Sequence, residues 1–210
     1  METQPGGQER VLRAAGAGGL ASGAALVTHI VGGISLRAAL AAAGLIVILG
    51  VAAVLRRAGP IGRRRFARAA AIGAGGGLLA TMAYDASRTV LAYFDPSPYN
   101  PFEAIRIFGV LLAGQTAPDA LIYAAGMAFH FINGMGFGVA FSLLLGHRGL
   151  LAGIAWGLGL ELFQLTLYPG WLDIRAFREF AQISAAGHLV YGGVLGSSCR
   201  RWLGAGGGVQ

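Results

Sequence analysis

Two stretches of the chain set a histidine in the same surroundings: His130-Phe-Ile-Asn133-Gly134-Met-Gly-Phe-Gly138 and His188-Leu-Val-Tyr-Gly192-Gly-Val-Leu-Gly196. Each reads His-x3-Gly-x3-Gly inside a long apolar run, so on a helix the imidazole and both glycines share one stripe. Imidazole is the side chain that changes charge near neutral pH, which suits it to proton exchange and to metal ligation. Two carboxylates, Asp85 and Glu161, lie in apolar runs of their own, and Asn133 and Gln164 each follow an ionisable residue by three positions. At the centre of a bilayer such groups cost at least about 2.5 to 3.5 kcal/mol each, so they are rare without a partner or a task.

Three kinds of chemistry fit this set. A substrate or ion pathway would have Asp85, His130, Asn133, Glu161, Gln164 and His188 around a polar cavity open to the outer face, with Tyr99, Asn100, Arg106, Trp171, Asp173 and Arg175 at its mouth. A haem would take His130 and His188 as paired axial ligands, the small residues at i+4 making room for the macrocycle. GxxxG packing explains the same glycines equally well. A metal held by two histidines and two carboxylates is the weakest fit, because Glu161-x2-Gln164 carries an amide where di-metal bundles carry histidine. Against all three stands pure scaffolding, in which these groups only hydrogen-bond across helices, at about 0.6 to 2 kcal/mol per bond. Asp85 and Arg88, three apart on one helix, can pair and lower each other's cost, which favours a structural role for Arg88. Glu161 has no local cation and must be protonated, reach a histidine or face water.

The elements that must position these residues are apolar helices. Of 210 residues 55% are hydrophobic and 12% charged, with a mean hydropathy of +0.64, the range of integral membrane proteins. The formal charge of +7 comes from 16 arginines that mostly flank apolar runs, a topology signal rather than a nucleic-acid footprint. A single cysteine, Cys199, excludes a disulfide framework and any CxxC site. No P-loop, nucleophile elbow or zinc-peptidase motif is present, so an enzyme of the soluble type has no support.

The expected fold is all-α: an integral membrane bundle of six transmembrane helices, with two related helical hairpins and short outer-face interfacial helices. Residues 1–13 read as a disordered cytoplasmic N-terminus. The single transmembrane domain, 14–203, has spans near 14–34, 38–55, 69–93, 120–145, 149–169 and 180–199, and 204–210 form a flexible tail. Residues 102–115 are helical in pattern but too short to cross, and read as interfacial or re-entrant. Arg56, Arg57, Arg63, Arg64, Arg65 and Arg68 mark a loop that the positive-inside rule makes cytoplasmic. Six spans then put both termini in the cytoplasm of a bacterial inner membrane, with Asp95, Glu103, Asp119, Asp173 and Glu179 on the other side. Tyr168-Pro169-Gly170-Trp171 reads as a Pro-broken outer loop.

Spans three and four share an order of features with spans five and six: an acid (Asp85; Glu161), a Pro-aromatic loop, an arginine-bearing segment, then a His-x3-Gly-x3-Gly helix. Both hairpins start from the cytoplasm, which makes the repeat parallel. By helical rise, Asp85, His130, Glu161 and His188 all fall about 12 to 16 Å below the outer surface, with His29 shallower. His147 reads as a solvated turn residue. Tyr84, Tyr93, Tyr168 and Trp171 read as belt or packing residues.

The residues Tyr84-Asp85-x2-Arg88, Pro101-Phe102-Glu103, His130-Phe-x-Asn133-Gly134, Tyr168-Pro-Gly-Trp171-Leu-Asp173 and Gly187-His188-x2-Tyr191-Gly192 resemble a group of small bacterial multi-spanning inner-membrane proteins of no known activity. The resemblance covers about 70 to 203 and implies only that these residues belong together. The leading expectation is binding or translocation of a small polar molecule or ion. The alternatives are a haem- or metal-binding membrane redox protein and a structural subunit of a membrane complex. Expected partners are the lipid bilayer and, through the Gly-rich helix faces, a second copy or a membrane-complex subunit; nucleic acid is not among them.

Overall fold

The computed structural model describes residues 13–97, 100–174 and 176–205. The expectations for 1–12, Tyr99, Arg175 and 206–210 lie outside these residues. Among them every regular element is helical: α1 (Arg13–Gly32, with a 3-10 stretch at Ala17–Leu20), α2 (Leu36–Arg57), α3 (Pro60–Phe94), α4 (Glu103–Ala113), α5 (Asp119–Leu145), α6 (Leu150–Leu172) and α7 (Phe177–Gly204). Five of them, α1, α2, α3, α5 and α6, are long and apolar enough to cross a membrane. Their outer faces carry apolar side chains that no described residue covers. On α2, Leu45 is 57% exposed, Ile46 71%, Ile48 66% and Leu49 61%, a surface that suits lipid and not water.

Helix α7 has 28 residues, ample length to cross, but falls outside that group because its inward stripe is polar or bare: Ser184, Gly187, His188, Tyr191, Gly192 and Gly196 are all buried. Low apolarity here records burial inside the protein. Helix α3 is the centre of the arrangement, packed between α5 and α7; α6 lies on the far side of α7, α1 on α5, and α2 on α1.

Two boundaries differ from the sequence reading. The expected arginine loop is almost entirely helix: α2 runs through Arg56 and Arg57, only Ala58 and Gly59 connect, and Pro60 opens α3 at its first position, where its missing N–H costs nothing. Arg63 donates to the carbonyls of Leu55 (2.7 Å) and Ala58 (3.0 Å), capping α2. The Tyr168–Trp171 loop is also helix. Pro169 sits inside α6, one turn before its end, and Asp173, in the left-handed region at φ 50°, stops the helix at Leu172. The short α4 packs against α5, with Gly109 against the Ile122 carbonyl and Gly126 against the Ile105 carbonyl, so it is a wall of the bundle.

The glycine stripes set the close approaches. On α3 and α5, a Cβ at Gly77 would lie 2.5 Å from the Gly134 carbonyl and one at Gly73 2.6 Å from the Gly138 carbonyl. On α6 and α7, Gly153 meets Gly192, Gly157 meets the His188 carbonyl, and a Cβ at Gly196 would lie 2.5 Å from the Gly149 carbonyl. Only hydrogen fits at such crossings, so the backbones touch and their flanking side chains are drawn together.

Candidate functional site

The close α3–α5 crossing brings Asp85 against His130. Both carboxylate oxygens lie within reach of His130 Nε2, at 3.1 and 3.0 Å. The α6–α7 crossing does the same for Glu161 and His188, whose Nδ1 lies 2.7 Å from Glu161 Oε2. Ser184, one turn before His188, donates to that same oxygen at 2.6 Å and receives the Gln164 amide at 3.0 Å. Glu161 is 3% exposed, and its other oxygen, Oε1, is buried with no hydrogen-bond partner. Of the three states that the sequence left open to Glu161, protonated, in reach of a histidine or facing water, the structure has it beside a histidine.

The two pairs meet through Tyr84. Its ring lies edge-on to His188 at 4.8 Å between centroids and at 6.2 Å from His130. Tyr191, from α7, donates to the Gly134 carbonyl on α5 at 2.9 Å and ties the second pair's helix to the first pair's. Asn133 accepts a hydrogen bond from Ser22 of α1 at 2.6 Å. Arg88, 5% exposed, sits over the rings of Tyr84 (4.6 Å) and Phe102 (5.6 Å), lies 3.8 Å from Asp85 and donates to the Pro101 carbonyl. It fastens the loop after α3 to the helix beside the site.

A cavity of about 470 Å³ begins at this floor, where His130, Asn133, Gln164, His188 and Tyr191 line it. It continues past Tyr168 and Phe108 to Asn100, Glu103 and Asp173 in the loops at one end of the bundle. The opposite end carries the arginines: Arg68 donates to the carbonyls of Trp202 (3.0 Å) and Leu203 (3.2 Å), which joins the start of α3 to the end of α7. The cavity thus opens away from the arginine-rich end.

Of the six expected floor residues, His130, Asn133, Gln164 and His188 line the cavity, while Asp85 and Glu161 stand behind the two imidazoles. At the mouth the correspondence is partial. Asn100 and Asp173 line it. Arg106 is exposed and turned elsewhere, since α4 buries Ile105, Phe108 and Gly109 instead. Trp171 stacks on Phe108 at 6.1 Å and meets the edge of His29 at 6.0 Å, which makes it packing around the cavity. Tyr84, Arg88, Ser184 and Tyr191 were missed as site residues. Their signal was periodic: Gly77, Thr81, Tyr84 and Arg88 form one stripe of α3, and Ser184 lies one turn before His188. His29 bonds the Ile34 carbonyl at 2.8 Å and stays outside the cavity, and His147 is exposed in a turn.

Fold and polar cluster together define an α-helical membrane protein with an internal cavity. The chain matches no family model, no curated protein and no solved structure.

Proposed function

We propose that the protein binds, and carries across the membrane, a small polar molecule or ion in this cavity, with its two imidazole–carboxylate pairs as the proton-exchanging groups. The single observation that carries the reading is the pairing itself: His130 with Asp85 and His188 with Glu161, both imidazoles on the cavity wall and both acids behind them. A carboxylate fixes the orientation of an imidazole and the nitrogen that bears its proton, which leaves the other nitrogen for solute or water. The unpaired Oε1 of Glu161 is costly as long as it stays unmet, and an arriving proton or ligand donor would relieve that cost.

The same geometry supports the finer architecture. Gly77 and Asp85 are eight residues apart, as are Gly153 and Glu161; His130, Gly134 and Gly138 answer to His188, Gly192 and Gly196. We read α3–α5 and α6–α7 as parallel repeats and α7 as a sixth span, in a bacterial inner membrane with both termini at the arginine-rich, cytoplasmic end.

The test is thermal denaturation of purified protein with a panel of amines, carboxylic acids and inorganic cations at two pH values. A solute that raises Tm in a pH-dependent way, and loses that effect in the double variant Asp85→Asn, Glu161→Gln, supports the proposal. A panel without effect, or one that stabilises the double variant equally, contradicts it.

A further inference from the structure

Away from the cavity, the outer face of α7 forms the floor of a groove of about 600 Å³, walled by α3 at Leu79 and by α6 at Leu150. The floor is shallow-sided because Gly193 and Ser197 are small, and the rest of it is Val190 and Val194, with Ser198 bonded back to the Val194 carbonyl at 2.8 Å. At the arginine-rich end the groove finishes on Arg201 and Trp202. From Val190 to Trp202 is twelve residues, about 18 Å of helix, against about 15 Å for half of a 30 Å hydrocarbon core. The groove is therefore one leaflet long, apolar along its length and cationic at its headgroup end.

We propose that it seats an acyl chain of an anionic phospholipid whose phosphate is held by Arg201 beside Trp202. Arg68 prepares this end: by donating to the carbonyls of Trp202 and Leu203 it covers the negative end of α7, which would otherwise repel a phosphate. Trp202, 37% exposed, is the residue type that settles at headgroup depth. A second copy packed in parallel about a two-fold axis would bring its own Arg201 against this one, so charge favours lipid over a dimer contact.

The experiment is native mass spectrometry of the full chain extracted from mixed phosphatidylglycerol–phosphatidylcholine vesicles. Wild type should retain one phosphatidylglycerol in preference to phosphatidylcholine. Arg201→Gln should cut that preference about fivefold, the equivalent of about 1 kcal/mol for one arginine near the surface. Gly193→Leu, which fills the floor, should abolish retention, while Gly159→Leu, whose new side chain meets open space, should retain lipid as wild type does. Equal retention of both lipids, undiminished retention in Gly193→Leu, or a wild-type dimer that Gly193→Leu separates would each overturn the proposal.

Discussion

Glu161 concentrates the chemistry of this chain in one side chain. Its Oε2 takes a hydrogen bond from Ser184 and lies 2.7 Å from His188 Nδ1, which also faces the Ser184 carbonyl at 3.0 Å, while Oε1 takes none. A group kept only to hold helices together would use its whole hydrogen-bonding capacity, because in lipid each bond returns little more than about 0.6 to 2 kcal/mol. Glu161→Gln keeps an acceptor for the Ser184 hydroxyl and removes the ionisable group. Its Tm should match or exceed that of wild type while any pH-dependent solute response disappears, a comparison that calorimetry and the solute panel make on one sample. A fall in Tm of many degrees would return Glu161 to the scaffold. At this scale the sequence held the equal depth of Asp85, His130, Glu161 and His188, which helical rise supplied, but not which of its three open states Glu161 takes. Arg88 was not legible there, since an i,i+3 acid looked sufficient for it, whereas its reach to the Pro101 carbonyl depends on how the following loop folds back.

The helices owe their spacing to glycine. Gly153 lies against the Gly192 carbonyl and Gly157 against that of His188, so any Cβ there must push α6 from α7 and carry Glu161 away from its histidine. Gly153→Ala should destabilise by about 1 to 3 kcal/mol, the range for forced overpacking. Gly159→Ala, two residues beyond Gly157 and facing open space, should be neutral or stabilise by up to about 1 kcal/mol, since alanine forms helix better. Unfolding of the two variants in detergent checks the contrast, and equal loss in both would mean that the crossings are not the tight points. The His-x3-Gly-x3-Gly spacing foretold these stripes but not their partners, because which glycines face one another is fixed by tertiary packing. Helix ends were read less well. The arginine stretch and Tyr168–Trp171 were both expected as loops, yet Pro60 opens α3 within the first and Pro169 lies near the end of α6, where the chain tolerates a missing donor.

For the molecule as a whole, the outer faces are apolar and the interior packs two apolar clusters around a small polar group, and the apolar class was plain from composition. The sequence reading counted six spans including 180–199, whereas five helices are long and apolar enough to cross and α7, with polar and bare residues on its inward stripe, is not among them. If α7 crosses, then in sealed vesicles of one orientation a membrane-impermeant thiol reagent should label Arg178→Cys, at the start of α7, from one side and Ala205→Cys, just past its end, from the other. Native Cys199, fully buried, should stay unlabelled from both. Labelling of both positions from one side would refute the topology.

The most direct measurement is nitrogen NMR of the histidine side chains in lipid nanodiscs, with and without the solute that the panel selects. The resonances of His130 and His188 should both shift when that solute is added, and Asp85→Asn should alter the response of His188 through their shared neighbour Tyr84. Resonances of both residues that stay fixed in the presence of every solute on the panel would contradict a solute site at the two imidazoles and leave the two pairs as struts of the bundle.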